Sequence, residues 1–459
     1  MMKTALAIIS ATVVLAAADP AAQTPLTLDD ALSIVRSENL EIKAADYDLQ
    51  SASEDESIAL GYRLGSLDFT QDAIRSDDAG NVFGFKLTSR EADFGDFGFK
   101  DFLDWMSGGM VGDPLVLTPD DLNYPKSRSF FQSKLSYQVP LYTGGKLSAY
   151  GKISEMMTRM KGLDKAAVID EKLYQTRKAF YDLALLKSSS KHFVTILDNV
   201  KTLEHMTATM IDEGYAKQTD LLEVQARRAN VERMLNEIHA NETLLYHFLS
   251  FLLNRSVTAI VTPSEDVPMS THTGEQVLER NLDLKKAETG LEIRKEMLDA
   301  SYAGYLPQVG AFGEIATADN TFLDDAEDHK AYTVGARLTW NLFNGGVTSA
   351  EVEKAKIAEM KMRTQVALAR KGIALKLHQI TTEIQRYDFE IASLNKELEL
   401  ASTIYESYAA RYREQLSSMS DVIIKQSEQI EKILALLMAK NKRNERVFAL
   451  QKLANGEAL

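Results

Sequence analysis

Two aspartates sit in matching surroundings. Asp220 opens Asp220-Leu221-Leu222-Glu223-Val224-Gln225, and Asp421 opens Asp421-Val422-Ile423-Ile424-Lys425-Gln426, 201 positions later. Each precedes a long apolar run, so residue type alone suits helix capping, by the aspartates themselves or by the adjacent Thr219 and Ser420. Little else in the chain has the makings of chemistry. His239 and His247 are eight apart on one helical stretch without carboxylates at metal-ligand spacing, and the other five histidines are scattered. There is no glycine-rich phosphate loop and no nucleophile motif. The expectation is a chain that is not an enzyme, with no cofactor and no metal. A tyrosine stripe, Tyr405, Tyr408 and Tyr412, is expected to pack along a helix seam, with a lumenal lining as the alternative.

Composition narrows the setting of those residues. The net charge of −14 argues against nucleic acid, which needs a basic face. The chain has no cysteine, so neither a disulfide framework nor a lipid-modified cysteine is available. Lys3, the apolar run Ala5 to Ala17 and the small residues Ala16-Ala17-Ala18 read as a secretory signal peptide over residues 1–18. Cleavage is expected after Ala18, with Ala22 as the second choice. No apolar stretch of ~20 residues follows it, so no transmembrane helix is expected.

Proline placement then shows what can position the aspartates. None of the nine prolines lies between Leu141 and Thr262 or after Pro307. Proline breaks helix interiors, so two very long helical stretches are permitted. Ile380, Ile384, Tyr387, Ile391, Leu394, Leu398, Ala401, Tyr405, Tyr408 and Tyr412 alternate spacings of four and three, a heptad seam. A partner seam is expected through Ile423, Ile430, Leu434 and Leu437. A helix from about Gly346 to Arg413 would run about 100 Å at 1.5 Å per residue, which suits a tube or a stalk.

The 201-residue offset recurs. Leu141-Tyr142-Thr143-Gly144-Gly145 matches Leu342-Phe343-Asn344-Gly345-Gly346 in the same register as the aspartates. A third match, Val35 to Lys43 against Val277 to Lys285, has an offset of 242, which places an insertion of 41 residues in the first copy. The expectation is two internal repeats, residues 19–262 and 263–459, each a helix–strand–strand–helix unit, with the insertion at about 68–130.

Before each Gly-Gly pair runs a two-residue alternation. Leu135, Tyr137, Val139 and Leu141 face one way in the first copy, as do Tyr332, Val334, Ala336, Leu338, Trp340 and Leu342 in the second. Apolar-out, polar-in strands with aromatics near the ends are the signature of a transmembrane barrel, with Tyr137, Tyr332 and Trp340 as a lipid-facing girdle. Gln308 to Thr317 reads as a further strand before a polar loop at 318–330. The matching first-copy strand is expected at Arg63 to Gln71, with Val82 to Leu87 as the alternative. Four strands cannot close a barrel, and an open edge in lipid leaves backbone groups unpaired, so the chain must assemble with copies of itself. Within the insertion, Phe94, Phe97, Phe99, Phe102, Leu103, Trp105 and Met106 form an apolar patch. It is expected to be the core of an extracellular loop, or else a lid or a headgroup contact.

These residues carry a family resemblance over Leu26 to about Gly456. The opening LTLDDALSIVRSENLEIKAA, the strand–turn–helix segments YQVPLYTGGKLSAYGK and VGARLTWNLFNGGVTSAEVEKAK, the segment NLDLKKAETGLEIRKEMLDASYAGYLPQVGAFGEI, and the pair TDLLEVQ and SDVIIKQ resemble the TolC-type outer-membrane efflux proteins. The resemblance implies a mixed α/β membrane protein. It would be a homotrimer whose β-barrel takes four strands per chain and is continued by a long antiparallel α-helical barrel in the periplasm. It also implies an exit duct in the outer-membrane lipid, open to the exterior and gated at its periplasmic tips. That duct would serve tripartite efflux or type I secretion beside a periplasmic adaptor and an inner-membrane RND or ABC transporter. By resemblance Asp220 and Asp421 take the positions of tip aspartates near the turns at 214–219 and 415–420, and Tyr412 that of a tethering tyrosine. A ring of like carboxylates around a narrow opening would attract cations. The sequence departs from the pattern at Gln415, where a glycine would stand, at Ser417, in place of a tethering arginine, and at Ile424, in place of an acid.

Overall fold

The computed structural model describes residues 25–264, 267–269, 273–322 and 328–454. The signal peptide at 1–18 and its cleavage sites lie outside the described residues. The elements in chain order are α1 (Leu28–Glu38), α2 (Leu40–Leu64), β1 (Ser66–Ser76), α3 (Ala79–Thr88), α4 (Phe99–Ser107), α5 (Asp120–Asn123), β2 (Arg128–Tyr142), α6 (Lys146–Asp212), α7 (Gln218–Leu253), α8 (Gly274–Arg280), α9 (Leu282–Tyr302), β3 (Gln308–Asp319), β4 (Lys330–Thr339), α10 (Val347–Arg413) and α11 (Met419–Leu453). No helix among the described residues is long and apolar enough to cross a membrane.

The proline-free stretches are helical. Both α6 and α10 are 67 residues long, begin just after a Gly-Gly pair and are followed by helices of 36 and 35 residues. The chain divides into two compact units: residues 25–48, 162–286 and 367–454 in the first, and 49–161 and 287–366 in the second.

The first unit is helical. One apolar cluster joins Phe193, Ile196, Val200 and Leu203 of α6 to Val224 and Val231 of α7, Tyr405 and Tyr412 of α10, and Val422, Ile430 and Ile433 of α11. Another packs Ala31 and Val35 of α1 against Phe180 and Leu183 of α6 and Leu249 and Leu252 of α7. The seam on α10 follows the expected positions, with Ile380, Ile384, Tyr387, Tyr405 and Tyr412 buried. On α11 the seam is corrected: Leu434 is exposed while Ile433 and Leu436 are buried. A straight helix turns every 3.6 residues and drifts off a 3.5-residue pattern.

The second unit carries an antiparallel sheet in the order β1-β2-β3-β4. Leu67 faces Tyr137, Tyr137 faces Gly313 and Gly313 faces Val334, which fixes the register across all four strands. Three expectations are corrected. The first strand begins at Ser66 rather than Arg63, because α2 continues to Leu64 and Gly65 turns the chain at φ +78°. Val82 to Leu87 is helical within α3, capped by Asp78, whose side chain accepts from Asn81 N at 3.0 Å. The insertion is shorter than 68–130, because its first nine residues belong to β1 and its last three to β2.

Candidate functional site

At the far end of α6 the chain reverses through Gly214 at φ +83°, and Tyr215 N donates to Met210 O at 2.7 Å. At the end of α10, Gln415 takes the same left-handed conformation at φ +63°, and Leu416 N donates to Arg411 O at 2.8 Å. The two tips thus share one hydrogen-bonded turn. In the second, a side-chain-bearing residue occupies the position that glycine fills without steric cost in the first.

The residues that follow start α7 and α11. Asp220 accepts from Lys217 N at 3.1 Å, and Asp421 accepts from Ser418 N at 3.2 Å and from Ser418 Oγ at 2.7 Å. Asp421 N donates back to Ser418 Oγ at 3.2 Å, completing a reciprocal capping box. The N-caps are therefore Lys217 and Ser418, and both aspartates sit at the third helical position rather than at the cap itself. The Ser418 hydrogen bonds hold the Asp421 carboxyl below the usual aspartate range.

Polar bonds tie the tips to one another. Ser420 Oγ on α11 donates to Glu223 Oε2 on α7 at 2.9 Å, and Arg227 Nε donates to Gln426 Oε1 at 3.1 Å. Gln426 Nε2 reaches Tyr405 OH at 3.4 Å, and Tyr412 OH lies 3.4 Å from Thr207 Oγ1 on α6. Burial pushes the Tyr412 hydroxyl up, with the Thr207 contact working against it. Tyr405 and Tyr412 are buried in the helical core, so the stripe packs along the seam. Ser417 Oγ donates to Tyr408 O at 3.2 Å, fastening the turn to the last turns of α10. The Glu223–Ser420 and Arg227–Gln426 pairs escaped the sequence reading, because helices that meet only in space leave no spacing signal.

In the second unit the Gly-Gly pairs join strand to helix. Gly144 and Gly145 have φ +64° and +86°, and Gly345 and Gly346 have φ +68° and +86°. Two consecutive left-handed residues would cost other amino acids about 1–2 kcal/mol each. The preceding residues cap the helices: Thr143 Oγ1 accepts from Leu147 N at 3.2 Å, and Asn344 Oδ1 accepts from Thr348 N at 3.4 Å.

The register sorts the sheet into two faces. On one lie Leu67 and Phe69 of β1, Leu135, Tyr137 and Val139 of β2, Val309, Ala311 and Ile315 of β3, and Tyr332, Val334, Ala336 and Leu338 of β4. Toward β4 this face is open, with Tyr332 81% exposed and Val334 77%. Trp340 is exposed beyond the end of β4, its Nε1 donating to Tyr305 O at 3.0 Å, and Tyr137 OH donates to Leu64 O at 2.6 Å. Toward the β1–β2 connection this face is crossed by a polar row, Gln71, Ser133, Thr317 and Lys330, beyond which lie Ala73, Phe131 and Asp319.

The opposite face carries Asp68, Thr70, Asp72, Gln132, Lys134, Ser136, Gln138, Glu314, Thr333, Arg337 and Thr339. Lys134 pairs with Glu314 at 3.7 Å. Phe312 lies over Gly335, where a Cβ would come within 2.7 Å of the ring, and the Arg337 guanidinium sits 5.9 Å from the same ring. A cavity of about 990 Å³ opens along this face, lined by Tyr62, Gln138, Phe312, Arg337 and Thr339 among others.

Residues 273–456 match the family described as outer membrane efflux protein. No curated protein matches the chain in sequence. Among solved structures it is similar to CusC, with a TM-score of 0.76 and 13% identity over 93% of this chain and 91% of that one. It is also similar to VceC of Vibrio cholerae, with a TM-score of 0.75 and 15% identity over 93% and 96% of the two chains. For the CmeC outer membrane channel of Campylobacter jejuni the values are 0.75, 14%, 94% and 85%. At such identities the likeness shows the fold alone, shared over more than nine-tenths of this chain. The match over residues 273–456 is to the kind of protein that the TolC-type resemblance names.

Proposed function

We propose that the chain is the exit duct of a tripartite efflux or type I secretion system in the outer membrane. The observation that supports this most is the sheet, with one apolar face, one polar face and two edges, β1 and β4, that no strand among the described residues pairs. In lipid such edges must be closed, and β4 of one copy meeting β1 of the next closes them without leaving backbone groups unsatisfied. In this reading three copies give a twelve-stranded barrel, and the long helices give a periplasmic tunnel of twelve helices. Two internal repeats explain why α6 and α10 are equally long and why the turns recur 201 residues apart. The duct is passive, and its energy comes from an inner-membrane RND or ABC transporter reached through a periplasmic adaptor.

Closure falls to the tips. Ser420–Glu223, Arg227–Gln426 and Thr207–Tyr412 hold the two hairpins of one chain together, and Asp220 and Asp421 would contribute six carboxylates around a trimeric entrance. The test is planar-bilayer conductance of the purified protein, wild type against Asp220→Ala combined with Asp421→Ala. Small wild-type conductance that changes on substitution supports a tip-closed duct. A large pore insensitive to substitution favours a diffusion porin, and no pore at all favours a periplasmic scaffold.

A further inference from the structure

The insertion between β1 and β2 is a folded body, and it is seated on the polar face of the sheet. The register places Phe130 opposite Ile74, on the same face as Gln132, Lys134 and Ser136. The Phe130 ring stacks on Phe85 of α3 with centroids 4.3 Å apart and an interplanar angle of 11°. Three residues of that face are consequently buried at its outer end: Phe130, Ala316 and Ala318, the last only 2% exposed. On the apolar face of the same strands Tyr332 and Ile315 stay open, and burial there is confined to Asp319 at the end of β3, with the half-buried Phe131 beside it.

A second clamp lies beside the stack. The Arg128 guanidinium pairs with Glu91 and lies 3.4 Å from Ser89 Oγ, and Asn320 Nδ2 just past β3 reaches Glu91 Oε1 at 3.5 Å. Glu91 thereby ties the insertion to β2 and to the end of β3 together. The rest of the segment is braced on itself. Lys86 pairs with Asp96, Trp105 Nε1 donates to Val111 O at 2.9 Å, and Pro119 packs so closely on Gly98 that a Cβ there would lie 2.4 Å from its ring. A chain of aromatic contacts runs Phe94–Phe99–Phe102–Trp105.

From this placement we infer that the insertion is a plug seated inside the exterior mouth of the barrel, one per chain, which narrows the opening from within. The inference rests on the proposed barrel, in which the apolar face meets lipid and the polar face lines the lumen. An insertion that merely lengthened an extracellular loop would leave Ala316, Ala318 and Phe130 open to the lumen. One that lay on the membrane would cover the apolar face instead. The body occupying the mouth is acidic and aromatic: residues 77–127 hold ten Asp or Glu against four Lys or Arg. A narrow passage with that lining favours cations over anions.

The absence of native cysteine allows a direct test in intact cells. Thr333→Cys places a thiol on the polar face, deeper than the residues α3 covers, and Val334→Cys places one on the apolar face. Each is treated from outside with a small sulfonated maleimide and with a maleimide carrying a long polyethylene glycol chain. With the full chain, Thr333→Cys is expected to react with the small reagent and not with the large one. Replacing residues 77–127 by Asn-Gly, which suits a two-residue turn between Ser76 and Arg128, is expected to admit the large reagent. Phe85→Ala with Glu91→Ala, which releases both clamps without a deletion, is expected to do the same. Equal labelling by the large reagent in all three backgrounds, or none in any of them, overturns the plug. Val334→Cys labelling like Thr333→Cys instead shows that the two faces do not divide lipid from lumen, so the barrel reading itself fails.

Discussion

Asn39 and Asn281 perform one task at two places in the helical unit. Asn39 Nδ2 donates to Leu252 O at 2.8 Å while its Oδ1 accepts from Glu41 N at 3.0 Å and Ile42 N at 3.1 Å. Asn281 Nδ2 donates to Leu453 O at 3.0 Å while its Oδ1 accepts from Leu284 N at 3.0 Å. Each amide caps the start of one helix and satisfies a carbonyl in the last turn of another, and both side chains are buried. Replacing either by alanine strands groups at both ends and is expected to cost about 1–3 kcal/mol. An aspartate keeps the acceptor and loses the donor, so Asn39→Asp should fall between. Urea unfolding in detergent measures the order, and an alanine variant as stable as wild type would refute the double role.

The tips offer a backbone prediction. Gln415 holds a left-handed conformation with its side chain exposed, so Gln415→Gly removes steric strain and forfeits no packing. Against the extra freedom gained by the unfolded chain, a net gain of about 0.5–1 kcal/mol is expected. Gly214→Ala should lose about 1 kcal/mol by the same reasoning in reverse. Paired thermal melts check the signs, and shifts in one common direction would contradict the shared turn.

Acid should weaken the start of α11. The Asp421 carboxyl is held below its ordinary range by Ser418, so it binds a proton less readily folded than unfolded. Its contribution to stability is therefore present at neutral pH and is lost as the pH falls below the usual aspartate range. The melting difference between wild type and Asp421→Ala should accordingly be widest at neutral pH and narrow in acid. A difference that stays constant with pH would show that the capping box contributes through shape rather than charge.

The two faces of β4 should respond oppositely to charge. Val334→Arg puts a guanidinium on the apolar face and is expected to cost about 2–4 kcal/mol in a bilayer. Thr333→Arg, one residue away on the polar face, should be tolerated. Refolding titrations into lipid vesicles compare them, and equal penalties would mean that both faces meet the same solvent.

Much of this arrangement is legible in the residues, and the failures have physical causes. Absent prolines bound the long helices, and the alternation from Tyr332 to Leu338 gives the face of β4 correctly. The same alternation runs on to Trp340 and Leu342, yet β4 ends at Thr339, because its last partner is Gln308 and the preceding residue, Pro307, has no N–H to offer. Alternation reports which surroundings a side chain meets, whereas pairing needs a neighbour. Val82 to Leu87 misleads for a related reason: a short apolar run fits a strand or a helix, and Asp78 decides it from outside the run. At the tips, Ser418 and Ser420 are equally good caps by type, and only the reciprocal bond from Asp421 selects Ser418. The seating of α3 on Phe130 depends on register, which a single strand's pattern does not contain.

In the proposed barrel, the polar row Gln71, Ser133, Thr317 and Lys330 would set a waterline on the lipid-facing wall of the sheet. From the residue after Lys330 down to Trp340 is about ten residues, or about 33 Å of strand. With a barrel tilt of about 40°, that apolar band would span only about 25 Å along the membrane normal. An ordinary bilayer core is about 30 Å thick, and bacterial outer membranes are thinner. In that barrel the row would match the protein to a thin bilayer. In a thicker one the lipid would have to compress around the proposed barrel or bury Lys330, so hydrophobic mismatch would count against insertion there.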